Sequence, residues 1–463
     1  MVYRLSFFLV FLSVAIKIIA IHYTNFNLFG DEAQYWLWSI NPDLGYYSKP
    51  PLLAWFIKLH TLILGNSFVA LKYFPLIFYF FTSYIVYLLA YELYQKKEIA
   101  VASSLSFYLL PSVSVSSFLI STDVLLLFFC SSLLLILLKI RKRPSINNFA
   151  ILGIFFGLSF LTKYAAIYYF LSLILIIILD NKIKSAFFKN YINIFVFLAC
   201  FVVVIFPNIL WNIKNEWITL SHTSDNAGLE RVDLNIYRGL EFLLSQAAML
   251  GPLLFLVFVL YCKNIKINFQ SKFLLSFSLP VFFIVFMESI LVRANANWAA
   301  VGLIPFFLLI IEQIYTYSKK IIIYNNVVNF IFCFVLFCLI ATSSNLKVFD
   351  RVSGVLNFTN ILEANYLKNT RNLVIEDRLL FSSIGYYLRK SDITLLTPHN
   401  PSNKIKSHFH ITKPLKKEYG DNFIFIGNPK SLEYLEKKFR VLKKEVRSVK
   451  FFNRQIEIYE VFF

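Results

Sequence analysis

Charge is what this chain has least of: 15% of its residues are Asp, Glu, Lys or Arg, against 58% hydrophobic. A soluble domain carries about a quarter charged residues, so the shortage excludes an ordinary globular enzyme and indicates a helical, polytopic membrane protein. Cysteine is scarce as well. The five (Cys130, Cys200, Cys262, Cys333 and Cys338) lie in or beside apolar stretches, with no CxxC pair and no metal-ligand spacing, which argues against a disulfide framework. There are 13 glycines to 52 phenylalanines, a balance that predicts bulky, lipid-facing helices rather than a bundle packed through small residues. Neither GxxxxGK[ST] nor GxGxxG occurs, so no nucleotide cofactor is expected, and HExxH is missing too. No motif that reads DNA or RNA is present, and nucleic acid is not expected as a partner. The first apolar stretch, residues 5–21, is followed by no small-residue cleavage site and reads as a retained helix.

What the chain has is apolar length. Windows compatible with about eleven transmembrane helices lie near residues 5–21, 69–91, 99–118, 124–140, 149–161, 164–179, 194–210, 242–261, 273–291, 298–311 and 327–340. Basic residues mark alternate loops: Lys96 and Lys97, then Lys139 to Arg143, then Lys182, Lys184 and Lys189, then Lys263 and Lys266, then Lys319 and Lys320. The positive-inside rule assigns these loops to the cytoplasmic side. Loops 22–66, 121–123, 211–241 and 293–297 then face outward, and an odd number of spans carries the C-terminal region outward as well.

From about residue 344 the composition becomes that of a soluble domain. Strand character is expected at 372–376, 393–397, 423–427 and 455–462, and helix character at 381–389 and 431–440. The chain therefore reads as a transmembrane domain, 1–344, with a long first outer loop at 22–67, followed by a small α/β extramembrane domain, 345–463. Formal net charge is +19, and the stretch from Asn345 holds about 21 basic and 12 acidic residues, roughly half of that excess. Such a balance favours membrane lipids with anionic headgroups, or phosphates, as neighbours.

Ionisable residues concentrate in the outward loops. Asp31 and Glu32 open the segment DEAQYWLWSI, expected to form an interfacial helix with Trp36 and Trp38 at headgroup depth. A carboxylate there can accept a proton from an attacking hydroxyl, or can serve the helix dipole alone. Lys49, in GYYSKPPLLAW behind Tyr46 and Tyr47, is held by two prolines and suits a phosphate, or snorkels at a helix start. Asp123 in STDVLLLFF either binds a metal or a sugar hydroxyl or caps its helix. Trp211, Asn212, Trp217 and His222 mark another outer loop, where tryptophans usually anchor and a single histidine is usually structural. Arg293, Asn295, Asn297 and Trp298 form RANANW, where a guanidinium can grip a phosphate in two-pronged fashion or meet lipid headgroups. Lys163 falls on the same side and can serve the same anion.

Taken in order, GDEAQYWLWS, GYYSKPPLLAW, STDVLLLFF, GLSFLTKYAA, PNILWN with WITLSH, and RANANW resemble the family 39 glycosyltransferases. That family includes the bacterial aminoarabinose–lipid A transferases and the protein O-mannosyltransferases. The similarity runs from about residue 20 to 300, with a weaker echo at DRVSG (350–354) and the later GYYL. It implies a GT-C fold and a catalytic first outer loop. It also implies a polyprenyl-phosphate-linked sugar donor and a lipid or protein acceptor, on the outer face of the inner membrane. Under this resemblance Asp31 matches the catalytic aspartate, with Glu32 and Asp123 as accessory acids. Lys49, Arg293 and Lys163 are the expected donor-phosphate ligands, and Tyr46, Tyr47, His222, Asn297 and Trp298 the expected substrate contacts. A divalent metal is left open. Ser48 stands where the family often has an acid, and the span count and tail are smaller than in the aminoarabinose enzymes, so their substrate is not carried over. The alternative is a transporter or flippase of lipid-linked sugars, which calls for charged residues deeper in the spans. A non-catalytic binding module is a third reading.

Overall fold

The computed structural model describes residues 2–228, 232–368, 370–435, 438–452 and 454–463. The chain forms two compact units. The first comprises Met1–Ala20, Lys49–Leu53 and Lys72–Cys338, the second Ile21–Ser48, Ala54–Leu71 and Leu339–Phe463.

The first unit is helical. Among the described residues, seven helices are long and apolar enough to cross a membrane, or nine if each of two sharply bent pairs is one span. This is a multi-pass membrane protein. All eleven apolar windows fall on helix, and the differences from unbroken spans have local causes. The window at 99–118 is two short helices, Lys97–Tyr108 and Pro111–Ser116, because Pro111 lacks the N–H that would continue the first. The window at 242–261 bends by 110° between Ile236–Leu250 and Pro252–Tyr261. Gly251 takes the bend at φ +98°, and Pro252 opens the next helix.

Helix Thr122–Lys142 runs through the interior of this unit, with most of its side chains buried. Its two ends gather different polar groups. At the C-terminal end Arg141 donates two 3.1 Å hydrogen bonds to Asp180, and Lys142 lies 2.6 Å from Glu92. Three of the basic loops that the sequence pattern assigns to one side, those near residues 96, 141 and 182, thus adjoin one end of this helix. At the N-terminal end sit Asp123 and its partners, described below. Small residues matter where helices meet closely: Gly153 and Gly157 form a GxxxG stripe on helix Ile146–Thr162. A Cβ on Gly153 would lie 2.2 Å from the Phe197 carbonyl oxygen, so the stripe lets helix Tyr191–Lys214 approach to backbone contact. Two lysines are fully buried among the helices. Lys72 donates to the Phe118 carbonyl at 2.8 Å, and Lys17 lies over the Tyr108 ring at 4.4 Å.

The second unit is built on a six-stranded sheet: β1 (Asn372–Ile375), β2 (Thr394–Pro398), β3 (Pro414–Leu415), β4 (Phe423–Ile426), β5 (Arg440–Val449) and β6 (Arg454–Phe462), in the order β3-β2-β1-β4-β6-β5. β1 pairs in parallel with both β2 and β4, whereas β6 runs antiparallel to β4 and β5. Helix Arg378–Tyr387 makes the crossover from β1 to β2, started by Asp377, whose carboxylate accepts from the Leu379 and Leu380 N–H groups. Segment 431–440 is a correction to the expected helix. It begins with a single 3-10 turn, Pro429–Leu432, and ends on the first residue of β5, and residues 436–437 lie outside the described residues.

Most of the first loop belongs to this unit, while Lys49–Leu53 belongs to the first. Asn27 is buried, and its side-chain oxygen accepts from the Val355 N–H at 2.9 Å, while its own N–H donates to the Val352 carbonyl. Helix Gly30–Ile40 then packs along helix Arg378–Tyr387, an approach that needs glycine on both. A Cβ at Gly30 would lie 2.9 Å from Leu379 Cβ, and one at Gly385 would lie 3.2 Å from Leu37. Trp36 and Trp38 are therefore not headgroup anchors. They are 3% and 4% exposed, because this packing encloses them. Trp36 meets Tyr386 edge-on and donates to Asn66 at 2.8 Å, and Trp38 stacks on Tyr46 at 4.3 Å.

Candidate functional site

In the second unit the acidic pair splits into two roles. Glu32 is buried and its carboxylate turns back to accept from the Phe29 N–H at 2.7 Å, closing the start of its own helix. Asp31 points the other way, half-buried, and meets the Arg378 guanidinium at 3.2 Å. Arg378 also donates to Gln34 at 2.6 Å, so one guanidinium spans a full helical turn of the first-loop helix. The Asp31 carboxylate is thereby held to one orientation while staying open to solvent. Tyr46 is buried, donates to the Trp38 carbonyl at 3.1 Å, and burial pushes its phenol well above the usual range, so it remains protonated there. Tyr47 beside it is half-buried.

In the first unit a second cluster forms at the start of helix Thr122–Lys142. Lys163 ends helix Ile146–Thr162 and places its ammonium 2.7 Å from one Asp123 oxygen, and Asn297 donates to the other at 2.6 Å. RANANW and GLSFLTKYAA therefore converge on STDVLLLFF. Next to Lys163, the Tyr164 hydroxyl donates to Asn208 at 3.1 Å, and buried Asn212 lies within reach of both. These are residues of PNILWN. Asn297 also borders a cavity of about 770 Å³ whose wall is mostly apolar, including Val115, Met249 and Phe332, with Ser112, Ser116 and Asn329 adding polar atoms. The bend at Gly251 and Pro252 contributes to that wall.

Lys49 is half-buried. Arg293 is exposed and makes no ion pair among the described residues, and Trp298 is half-buried in the 3-10 turn Ala296–Ala299. His222 is half-buried on helix Ile218–Ala227, with Nδ1 2.9 Å from Asn226. As arranged, the donor set does not fit a metal: both Asp123 oxygens are taken by Lys163 and Asn297, and no group of three His, Cys, Asp or Glu converges among the described residues. Arg378 and Gln34 were not singled out from the sequence. The only signal for Arg378 is its place after Asp377, a helix-capping residue at the end of a strand.

Residues 48–211 match the family described as dolichyl-phosphate-mannose-protein mannosyltransferase. The chain is 31% identical over 304 residues to the lipid A galacturonosyltransferase RgtD of Rhizobium johnstonii, an alignment covering 65% of this chain and 63% of that protein. It thus spans less than two thirds of the relative's length. Two crystal structures of ArnT from Cupriavidus metallidurans share the fold across 98% of this chain and 97% of theirs, at 11% identity. The TM-score is 0.66 for the apo state and 0.63 for the form bound to undecaprenyl phosphate. The chain is a multi-pass membrane protein of GT-C fold, similar to the family 39 glycosyltransferases, with the match to the mannosyltransferase family at residues 48–211.

Proposed function

We propose that this protein is an integral-membrane glycosyltransferase that moves a sugar from polyprenyl phosphate to an acceptor of the lipid A class. The reading assigns the work to the outer face of the inner membrane, with the segment from 345 onward on the periplasmic side and residues 1–344 as the catalytic transmembrane domain. The observation that carries it is the cluster Asp123–Lys163–Asn297 at the edge of a large, mostly apolar cavity. A prenyl chain needs such an apolar wall, and a phosphate at its end needs polar groups at the wall's margin. The similarity to RgtD supports lipid A as acceptor, and the apolar wall of the 770 Å³ cavity suits a hydrocarbon chain rather than a polar substrate.

The chemistry assigned to the residues is a single displacement. An acceptor oxygen attacks the anomeric carbon, the bond from that carbon to the phosphate oxygen breaks, and polyprenyl phosphate leaves with the electron pair. Asp31 takes the acceptor's proton, a step typically worth about a hundred- to ten-thousand-fold. Lys49 and Arg293 offset the charge that builds on the phosphate, each positioned donor contributing on the order of 3 kcal/mol. Lys163 is committed to Asp123, so its part is to hold that carboxylate and the RANANW turn in place. Tyr47, His222 and Trp298 remain candidate substrate contacts, whereas Tyr46, fully enclosed, holds Trp38 in place.

The test is donor choice by the purified protein in proteoliposomes containing lipid A. Labelled sugar is expected to pass to lipid A from polyprenyl phosphate and not from a nucleotide sugar. Transfer from the nucleotide donor would overturn the reading, and movement of the lipid-linked sugar across the bilayer without transfer would favour a flippase.

A further inference from the structure

The sheet domain has a cavity that the proposed reaction does not use. It measures about 990 Å³, lies wholly within the second unit, and opens where the parallel strands end: at Glu376–Arg378 after β1, at His399 and Asn400 after β2, and at Gly427 and Asn428 after β4. The chain leaves β1 toward β2 on one side, while β4 pairs on the other, so this is a point where the connections diverge. Crevices at such points are where open α/β sheets bind ligands.

The wall is polar and its charges are unequally engaged. Three of its four acids already serve the domain: Glu376 accepts from the Asn428 N–H at 2.7 Å, Asp377 caps helix Arg378–Tyr387, and Glu457 pairs with Lys443. Gly427 makes the first of these feasible, since at φ +155° a Cβ there would lie 2.6 Å from the Glu376 carboxylate. Lys406 and Lys430, by contrast, have no ion-pair partner among the described residues. His399 and His410 stack in the wall at 4.4 Å, close to Lys406. Burial, then His399 and Lys406, hold His410 down to about 4, and burial lowers His399, so both rings are neutral at pH 7; His410 Nδ1 accepts from the Lys406 N–H at 3.3 Å, which leaves its Nε2–H as a donor. Flat ring faces, neutral hydrogen-bonding edges and two uncommitted ammonium groups make a wall suited to hydroxyls together with a negative charge.

We propose that this cavity is a second binding site, for a saccharide bearing a phosphate or carboxylate, with Lys406 and Lys430 as its counter-ions and the His399–His410 pair against its hydroxyl face. Arg378 is shared between the cavity wall and Asp31, so a ligand here lies one side chain from the residue we read as the base. That last link rests on the reading of Asp31, whereas the site itself does not.

The experiment uses the full chain in phosphatidylcholine nanodiscs and measures binding by calorimetry. The probes are a hexose 1-phosphate, galacturonate, the neutral hexose, inorganic phosphate and vesicles containing lipid A. The anionic sugars are expected to bind and the neutral hexose not, with Lys406→Ala/Lys430→Ala weakening them at least about tenfold, as loss of charge-assisted contacts implies. Binding of the soluble anionic sugars identifies a free metabolite as the source, and binding of lipid A vesicles alone, lost in the same variant, identifies a glycolipid headgroup. Equal binding of inorganic phosphate, or the same affinity in the double variant, would overturn the proposal, as would no binding to any probe. The Asp31→Asn protein is expected to bind the same sugars, so loss of binding and loss of transfer report on different claims.

Discussion

Replacing Lys163 by methionine keeps the length of the side chain and removes its charge, leaving the Asp123 carboxylate with Asn297 as its recorded partner. The two ionised side chains are only 14% and 10% exposed, and 2.7 Å apart. Stripping one partner from such a pair costs about 3–5 kcal/mol, because the remaining charge has lost both water and counter-ion. Removing both is far cheaper, since the desolvation penalty disappears with the charges. Lys163→Met is therefore expected to lose about 3–5 kcal/mol in reversible unfolding from mixed micelles, and Asp123→Asn/Lys163→Met to regain more than half of that loss. The coupling across the double-mutant cycle should reach about 2 kcal/mol or more, within the range seen for residues in one ion-pair network. Strictly additive single effects would refute the argument that the carboxylate depends on this lysine.

Gly30→Ala should loosen the packing between the first-loop helix and helix Arg378–Tyr387, because the new methyl would sit 2.9 Å from Leu379 Cβ and from the Phe451 ring. A destabilisation of about 1–3 kcal/mol is expected, read as earlier melting and faster proteolysis. Wild-type stability would contradict the close approach. Acid should weaken the sheet domain through its buried histidines. Burial holds His408 down to about 4, against the milder opposing field of Asp43, and His410 likewise stays near 4. Their neutral forms stabilise the fold fully above the unfolded value of about 6.5, and that contribution is lost as pH falls from there toward 4. Thermal melting of the whole protein is expected to drop across this window, with a flatter profile in His408→Gln/His410→Gln, and a profile identical to wild type would contradict it.

The helical unit was legible because its signal is local. Every apolar window lies on helix, and a Pro or a Gly-Pro step accounts for the breaks at Pro111 and Pro252. Strands β1, β2, β4 and β6 were legible for the same reason, as short runs of Leu, Ile, Val, Phe and Tyr. Strand β5 was not, since RVLKKEVRSV carries charges at half its positions. It is an edge strand whose lysines pair with Glu457 and Glu460 on β6, a device that keeps edges from joining other chains. The tryptophans of the first loop were misplaced because an amphipathic aromatic helix reads alike whether it meets lipid or another helix. What decides it is Gly385, almost 350 positions further on, whose missing side chain admits Leu37. Arg378, 347 residues from Asp31, was invisible for the same reason: nothing local distinguishes it from any other arginine early in a helix.

The central claim is that Asp31 accepts the acceptor's proton during transfer from a lipid phosphate. Its most direct test is single-turnover transfer from polyprenyl-phosphate sugar to lipid A by wild type and Asp31→Asn, reconstituted at equal amounts and checked for equal donor binding. The account predicts donor binding unchanged and a transfer rate at least about a hundredfold lower in the variant. A variant that transfers sugar at the wild-type rate would contradict it.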